Sequence, residues 1–215
     1  MLGLFWKERK PSGLINDALE EIYRMLEQEE AMFHSACHTL LTGQETDIDV
    51  AEEDETINMG ERMVRRMVAE HLTLNPEQDL PSSLVLIGIV HDVERIGDYT
   101  KSLIELSRFR PVDLKGGPYA DMCAEIADMI QPLLQQTLEA FRESDADLAR
   151  KVMSRHREVK ARTDDLVEAA MKDSTAGREA TLYCIGARIL RRISAHLSNI
   201  VSGIANPFDL LGRNE

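Results

Sequence analysis

The sequence predicts an all-α protein of two tandem three-helix bundles, and three observations carry that expectation. Apolar residues recur at helical spacing, no alternating β-branched run is bounded by hairpin turns, and three long segments, a Pro/Gly-rich break and three more segments follow in order. Of the seven prolines only Pro132 falls inside a periodic segment; Pro11, Pro76, Pro81, Pro111, Pro118 and Pro207 punctuate the chain. With 215 residues, 43% of them apolar, the chain is long enough to bury a real core.

Six long antiparallel helices are expected, at about 13–42, 48–74, 82–108, 119–143, 146–172 and 178–205. Ile22, Leu26, Phe33, Cys37 and Leu40 line one face of the first, and Val64, Met67, Val68 and Leu72 one face of the second. Asp47 or Asp49 could cap the second helix, Ser82 the third, and Asp145 or Asp147 the fifth. In the fourth, Pro132 should kink or interrupt the helix. Helices of this length run to about 40 Å at 1.5 Å per residue, so short connections imply an elongated bundle. The break at Arg110–Pro118 (RPVDLKGGP) divides the chain into repeats at 1–110 and 111–215.

Charge is spread unevenly between those halves. Residues 1–110 carry 11 basic and 22 acidic side chains, and residues 111–215 carry 14 and 16, so the net of −13 splits into −11 and −2. An acidic chain of this kind disfavours general binding to nucleic acid or anionic membranes. Cys37, Cys123 and Cys184 are odd in number, widely spaced and outside any CxxC pattern, the usage of a reducing compartment. The longest apolar run, Leu84 to Val90, falls well short of a membrane span, and the opening MLGLFWKERK is not a signal peptide. A cytoplasmic protein is expected. Trp6 in that opening segment either packs on the body or forms a weak docking element.

The third helix carries the strongest motif. An apolar approach, LVLIGIV, leads into His91-Asp92-Val93-Glu94-Arg95-Ile96-Gly97-Asp98-Tyr99. Glu94 and Asp98, four apart, share one helical face, and His91 extends the stripe by a turn. Oxygen ligands of this type suit hard or borderline cations, and imidazole suits iron or zinc. On spacing alone such a carboxylate pair is common on solvated faces.

The DVERIGDY string, in the third helix of a duplicated three-helix unit, resembles the PhoU family, whose signature is an ExxxD pair within an L-E-R-I-G-D-H-type segment. The resemblance covers essentially the whole chain. It implies Glu94 and Asp98 as ligands of a transition-metal ion, iron or zinc, with Asp54 and Asn58 of the second helix able to join them; His91 on the same stripe is a further candidate ligand from its spacing. It further implies a regulator of phosphate uptake and phosphate-starvation signalling. The partners would be a phosphate-transporter ATPase or sodium–phosphate cotransporter and a sensor histidine kinase, and a homodimer is compatible with it. Alternatives are a metal-dependent enzyme, which would need a general base and a pocket beside the metal, and a metal-free helical scaffold with Glu94 paired to an arginine. No catalytic residues are assigned.

The second repeat departs from the pattern. At an offset of 97, Arg191 stands opposite Glu94 and Ala195 opposite Asp98, so any metal is expected in the first repeat only. An offset of 98 would instead set His196 opposite Asp98 as a lone imidazole ligand; the alternative expected is that His196 and Asn199 make buried hydrogen bonds. His34, Cys37 and His38, with Glu30 a turn earlier, form an HxxCH group that lacks the rest of a zinc motif. Residues 45–55 hold seven acids, most of them read as a solvated helix start, and residues 150–162 hold six bases and one acid, read as serving intramolecular or partner contacts.

Overall fold

A computed structural model describes residues 13–205 apart from 77, 112, 113 and 115; the opening MLGLFW segment lies outside the described residues. Among those residues the chain forms six helices and no strand: α1 (Gly13–Thr42), α2 (Val50–Leu74), α3 (Leu80–Ser107), α4 (Pro118–Glu143), α5 (Ala146–Lys172) and α6 (Arg178–Ala205). Every expected helix is present, with ends that differ by no more than two residues. None of the six is long and apolar enough to cross a membrane.

The helix starts follow from local chemistry. Asp49 caps α2, its Oδ1 accepting from the amides of Ala51 (3.0 Å) and Glu52 (3.2 Å). Asp145 does the same for α5 with Asp147 (2.9 Å) and Leu148 (3.0 Å). Ser82 is not a cap. Helix α3 begins at Leu80, with Asp79 in the cap position at φ 58° and no side-chain cap bond. Pro81 occupies the first turn, where its missing N–H is no loss, and Ser82 is buried just inside it. The Asp79 carboxylate instead lies 3.5 Å from His71 Nε2 at the end of α2.

Pro132 does not interrupt α4, which continues through it. The residue is exposed, and so is Asp128, whose carbonyl loses its helical donor and can turn to water.

Helices α1, α2 and α3 pack pairwise into one bundle, and α4, α5 and α6 into a second. The bundles join through α3 against α6 and α1 against α4. Buried apolar side chains from all six helices therefore form one continuous core. Tyr23 of α1 meets Phe141 of α4 edge-on at 5.6 Å, and Arg142 pairs with Glu27 at 2.9 Å beside them. Gly60 of α2 leaves room for α1 side chains: a Cβ there would stand 2.7 Å from Glu21 Oε1 and 2.9 Å from Met25 Sδ. The thiols fit this packing, since burial pushes Cys37 and Cys123 well up and leaves both as small apolar groups.

Removing the α2 cap with Asp49→Ala should lower the unfolding free energy by about 1 kcal/mol, read from the urea midpoint at unchanged m-value.

Candidate functional site

The carboxylates singled out in the sequence converge where α2 and α3 face each other, but they form two groups. At the outer end, Glu61 of α2 joins His91 and Glu94 of α3. His91 Nδ1 lies 3.6 Å from Glu61 Oε1 and 3.7 Å from Glu94 Oε2. One ligand atom from each of the three falls within 4.8 Å of the others, the single such trio among the described residues. Glu94 is 9% exposed and its Oε2 is buried without a hydrogen-bond partner. Burial raises the Glu94 pKa, Asp98 and Glu61 add to the rise, and Arg95 and His91 oppose it.

Asp98 does not join Glu94 on a shared ligand face. Arg95 stands between them, its Nε 3.2 Å from Glu94 Oε2 and its Nη1 donating to Asp98 Oδ2 at 2.8 Å. Nor do Asp54 and Asn58 reach the trio. Asp54, 4% exposed, accepts from Lys101 of α3 through Oδ2, and Asn58 Nδ2 donates to the same oxygen at 3.3 Å. The Lys101 ammonium also lies 3.8 Å from Asp98 Oδ1, and its bond to Asp54 raises its pKa. The inner group is thus Asp54, Asp98 and Lys101, with Glu29 of α1 behind it.

Three members of this site were absent from the sequence reading. Glu61 follows Asp54 and Asn58 at i+7 and i+3, one continuous helical face, which is a readable signal. Glu29 sits on the buried stripe of α1 between Leu26 and Phe33, where an acid is out of place. Lys101 lies one turn beyond Asp98.

The second bundle has no such cluster among the described residues. Arg191 leaves the interior to pair with Asp164 at 2.8 Å. His156 Nδ1 donates to Ser194 Oγ at 2.9 Å, because Ser194 spends its own proton on the Arg191 carbonyl at 2.9 Å. His196 and Asn199 do make part-buried hydrogen bonds, both to Asp92 Oδ1 of α3, at 2.7 and 3.1 Å. His196 also stacks on Tyr99 at 5.5 Å. These contacts tie the two motif-bearing helices together.

The HxxCH group is dispersed: His34 is exposed, Cys37 is buried and His38 turns to Thr42. Of the acidic stretch, Asp49 caps α2, Asp54 is buried on Lys101 and Glu53 accepts from Gln28. The basic face of α5 is laced by pairs such as Arg150–Asp147, Arg155–Glu158 and Arg162–Glu125. Exposed pairs of this kind contribute little to stability.

The comparisons agree with this architecture. The family model described as "PhoU domain" matches twice, over residues 22–107 and 123–204. A Synechocystis protein, the "Phosphate-specific transport system accessory protein PhoU homolog", is 27% identical over 200 residues, covering 87% of this chain and 81% of its own. The crystal structure of PhoU from Pseudomonas aeruginosa superposes with a TM-score of 0.74 at 25% identity, covering 89% of this chain and 95% of that one. The phosphate transport system regulatory protein PhoU from Streptococcus pneumoniae shares the fold, with a TM-score of 0.78 at 17% identity over 94% and 96% of the two chains.

The neutral interior of the second bundle gives a pH prediction. Burial lowers the His156 pKa below 6.5, and Arg191, Lys160 and Arg157 lower it further. The unfolded chain therefore binds the extra proton first, so this contribution is fully present above pH 6.5 and is lost as pH falls toward the folded pKa. Urea midpoints measured from pH 7.5 down to pH 5 should fall less steeply for His156→Gln than for the unsubstituted chain.

Proposed function

The chain belongs to the PhoU family, and on that premise we propose that it works as a cytoplasmic adaptor that restrains phosphate uptake and phosphate-starvation signalling by direct protein contact. As a member of this family it is a regulatory protein of phosphate transport and not an enzyme. The observation that carries the reading is the double match, one PhoU domain on each helical triplet. The partners proposed are the ATPase of a phosphate transporter, or a sodium–phosphate cotransporter, and a sensor histidine kinase. Six helices packed into one core leave long outer faces on α2 and α5 for partner helices.

The proposal extends to a metal ion in the first repeat, iron or zinc, held by Glu61, His91 and Glu94. The donor set fits: two carboxylates and an imidazole, with a buried Glu94 oxygen that lacks a hydrogen bond. Side-chain exposure of 48% at His91 gives this trio an open, solvent-facing edge, which suits a structural or partner-presenting ion better than a reaction pocket. A bound cation would offset the carboxylates' mutual repulsion and stiffen the contact between α2 and α3.

Deletion of the gene from its host should raise phosphate uptake in phosphate-replete medium, and a plasmid copy should restore restraint. Uptake and starvation-gene expression that stay unchanged on deletion would overturn the regulatory reading. Purified E61Q/E94Q should carry less iron or zinc than the unsubstituted chain, and equal content would remove the metal from the proposal.

A further inference from the structure

The second bundle keeps cations where the first has them and lacks the acids that answer them. On α3, Arg95 stands between Glu94 and Asp98, and His91 between Glu61 and Glu94. At the offset of 97, Arg192 takes the place of Arg95 and Arg188 that of His91. The acids around them are gone: Arg191 stands for Glu94, Ala195 for Asp98 and, at an offset of 96, Arg157 for Glu61. Arg188 and Arg192 are both exposed, and neither has an ion pair or hydrogen bond among the described residues. The acids around Val167 on α5 are committed elsewhere, Asp164 to Arg191, Asp165 to Arg162 and Glu168 to Lys172.

These two guanidiniums rim an apolar groove over the outer face of α6. Ile185, which is 46% exposed, lines it with Ile189 and the half-buried Cys184. Tyr99 of α3 and Val167 of α5 complete the lining, and the groove has a volume of about 470 Å³. Ile185 and Ile189 are four apart, as are Arg188 and Arg192, so an apolar stripe and a cationic stripe run side by side along one helix. Tyr99 is held in place by stacking on His196, which bonds Asp92 at 2.7 Å. This pattern matches a helix whose own apolar stripe is bordered by carboxylates a turn apart, since a guanidinium holds a carboxylate through two parallel hydrogen bonds. An anionic membrane carries the same sign of charge. It would meet a chain of net charge −13, which repels an extended anionic surface more than it repels a short acidic segment.

We propose that this groove on α6 is the docking site for an acidic amphipathic helix of a partner protein. The partner helix lays its apolar stripe against Ile185, Ile189, Tyr99 and Val167 and sets two carboxylates on Arg188 and Arg192. It thereby supplies from outside the acids that the first bundle carries within itself. The inference rests on the regulatory reading above and deepens it, naming the surface and the chemistry of the contact. It uses none of the Glu61–His91–Glu94 ligands.

The probe is a fluorescein-labelled amphipathic helical peptide of about four turns, with leucines four apart and glutamates beside them, titrated with the full chain and read by anisotropy. A peptide with lysine for every glutamate is the control. The chain should bind the glutamate peptide and not the lysine peptide. Arg188→Glu with Arg192→Glu should weaken glutamate-peptide binding by at least about tenfold and gain the lysine peptide, a reversal that a merely structural role for the arginines would not produce. Ile185→Asp should weaken the glutamate peptide to a similar degree. All three positions are exposed, so circular dichroism and urea midpoints should stay unchanged. No binding of the glutamate peptide, or equal binding by the unsubstituted and doubly substituted chains, overturns the proposal. Binding to phosphatidylserine vesicles that the double substitution abolishes also overturns it, in favour of a membrane contact. A dimer in sedimentation that the same substitution dissociates overturns it in favour of a second copy. In a deletion strain of the host, the doubly substituted chain should fail to restore restraint of phosphate uptake. Full restoration overturns the groove and leaves the regulatory reading standing. Uptake unchanged by the deletion itself overturns that reading, while the peptide titrations still decide the groove.

Discussion

The first bundle is organised by one constraint: carboxylates that enter a helical core must each find a positive partner or be pushed toward their protonated form. Removing a buried carboxylate from water costs several kcal/mol, and losing one partner of a buried pair costs about 3–5 kcal/mol. Glu29, Asp54 and Glu94 are all less than a tenth exposed, and they come from three different helices. Helix α3 answers with a ladder of positive or protonatable groups, His91, Arg95 and Lys101, spaced so that each lies against a carboxylate. Gly97 makes room in the middle of that ladder, because any side chain there would fill the space of two carboxylate oxygens. Of the three buried acids, Glu29 has no such cation beside it, and burial instead raises its pKa well above the ordinary carboxylate range.

The second bundle shows the same frame with that constraint removed. Its α5 starts on an Asp cap 96 positions after the cap of α2. Carried along the helix, that spacing sets Arg150 and Arg157 opposite Asp54 and Glu61. On α6, Arg191 and Ala195 stand opposite Glu94 and Asp98, and Ser194 opposite Gly97. The polar interior that results is neutral at ordinary pH: His156 bonded to Ser194, with Thr163 bonded to its own helix. The arginines turn outward, where Arg191 meets Asp164. Neutral groups need no buried counter-charge, so this half folds around hydroxyls and one imidazole.

Much of this was legible in the sequence, for physical reasons that also mark where legibility stopped. Six helices, with ends right to within two residues, follow from helical periodicity, from Asp49 and Asp145 as caps, and from prolines and glycines at the breaks. Ser82 misled because α3 opens on Pro81, which tolerates the first turn, and the acid before it is drawn to His71 instead of its own backbone. Pro132 misled because its cost falls on a solvent-facing carbonyl. The site was half readable. Residues on one helix, His91 with Glu94, could be placed by spacing, whereas the split between inner and outer groups depends on where Arg95 and Lys101 reach. Glu29 was hidden by distance in the chain, since nothing in α1 announces that Gly97 of α3 lies opposite.

The segment DVERIGDY is specific because nearly every position has a separate duty on a different side of one helix. Val93 and Ile96 are fully buried in the core. Asp92 and Tyr99, seven apart and therefore on one face, bind α6 through His196 and Asn199. Glu94 and Asp98 face the first bundle's carboxylate cluster, Arg95 bridges them, and Gly97 supplies the gap. A solvated helix could carry ExxxD by chance, but it would have no use for the glycine, the bridging arginine and the two α6 contacts together. The acidity of the first half is thus partly an interior property. Some of its surplus charge is enclosed between α1, α2 and α3, where Arg95 lies against Glu94 and Asp98 and Lys101 against Asp54.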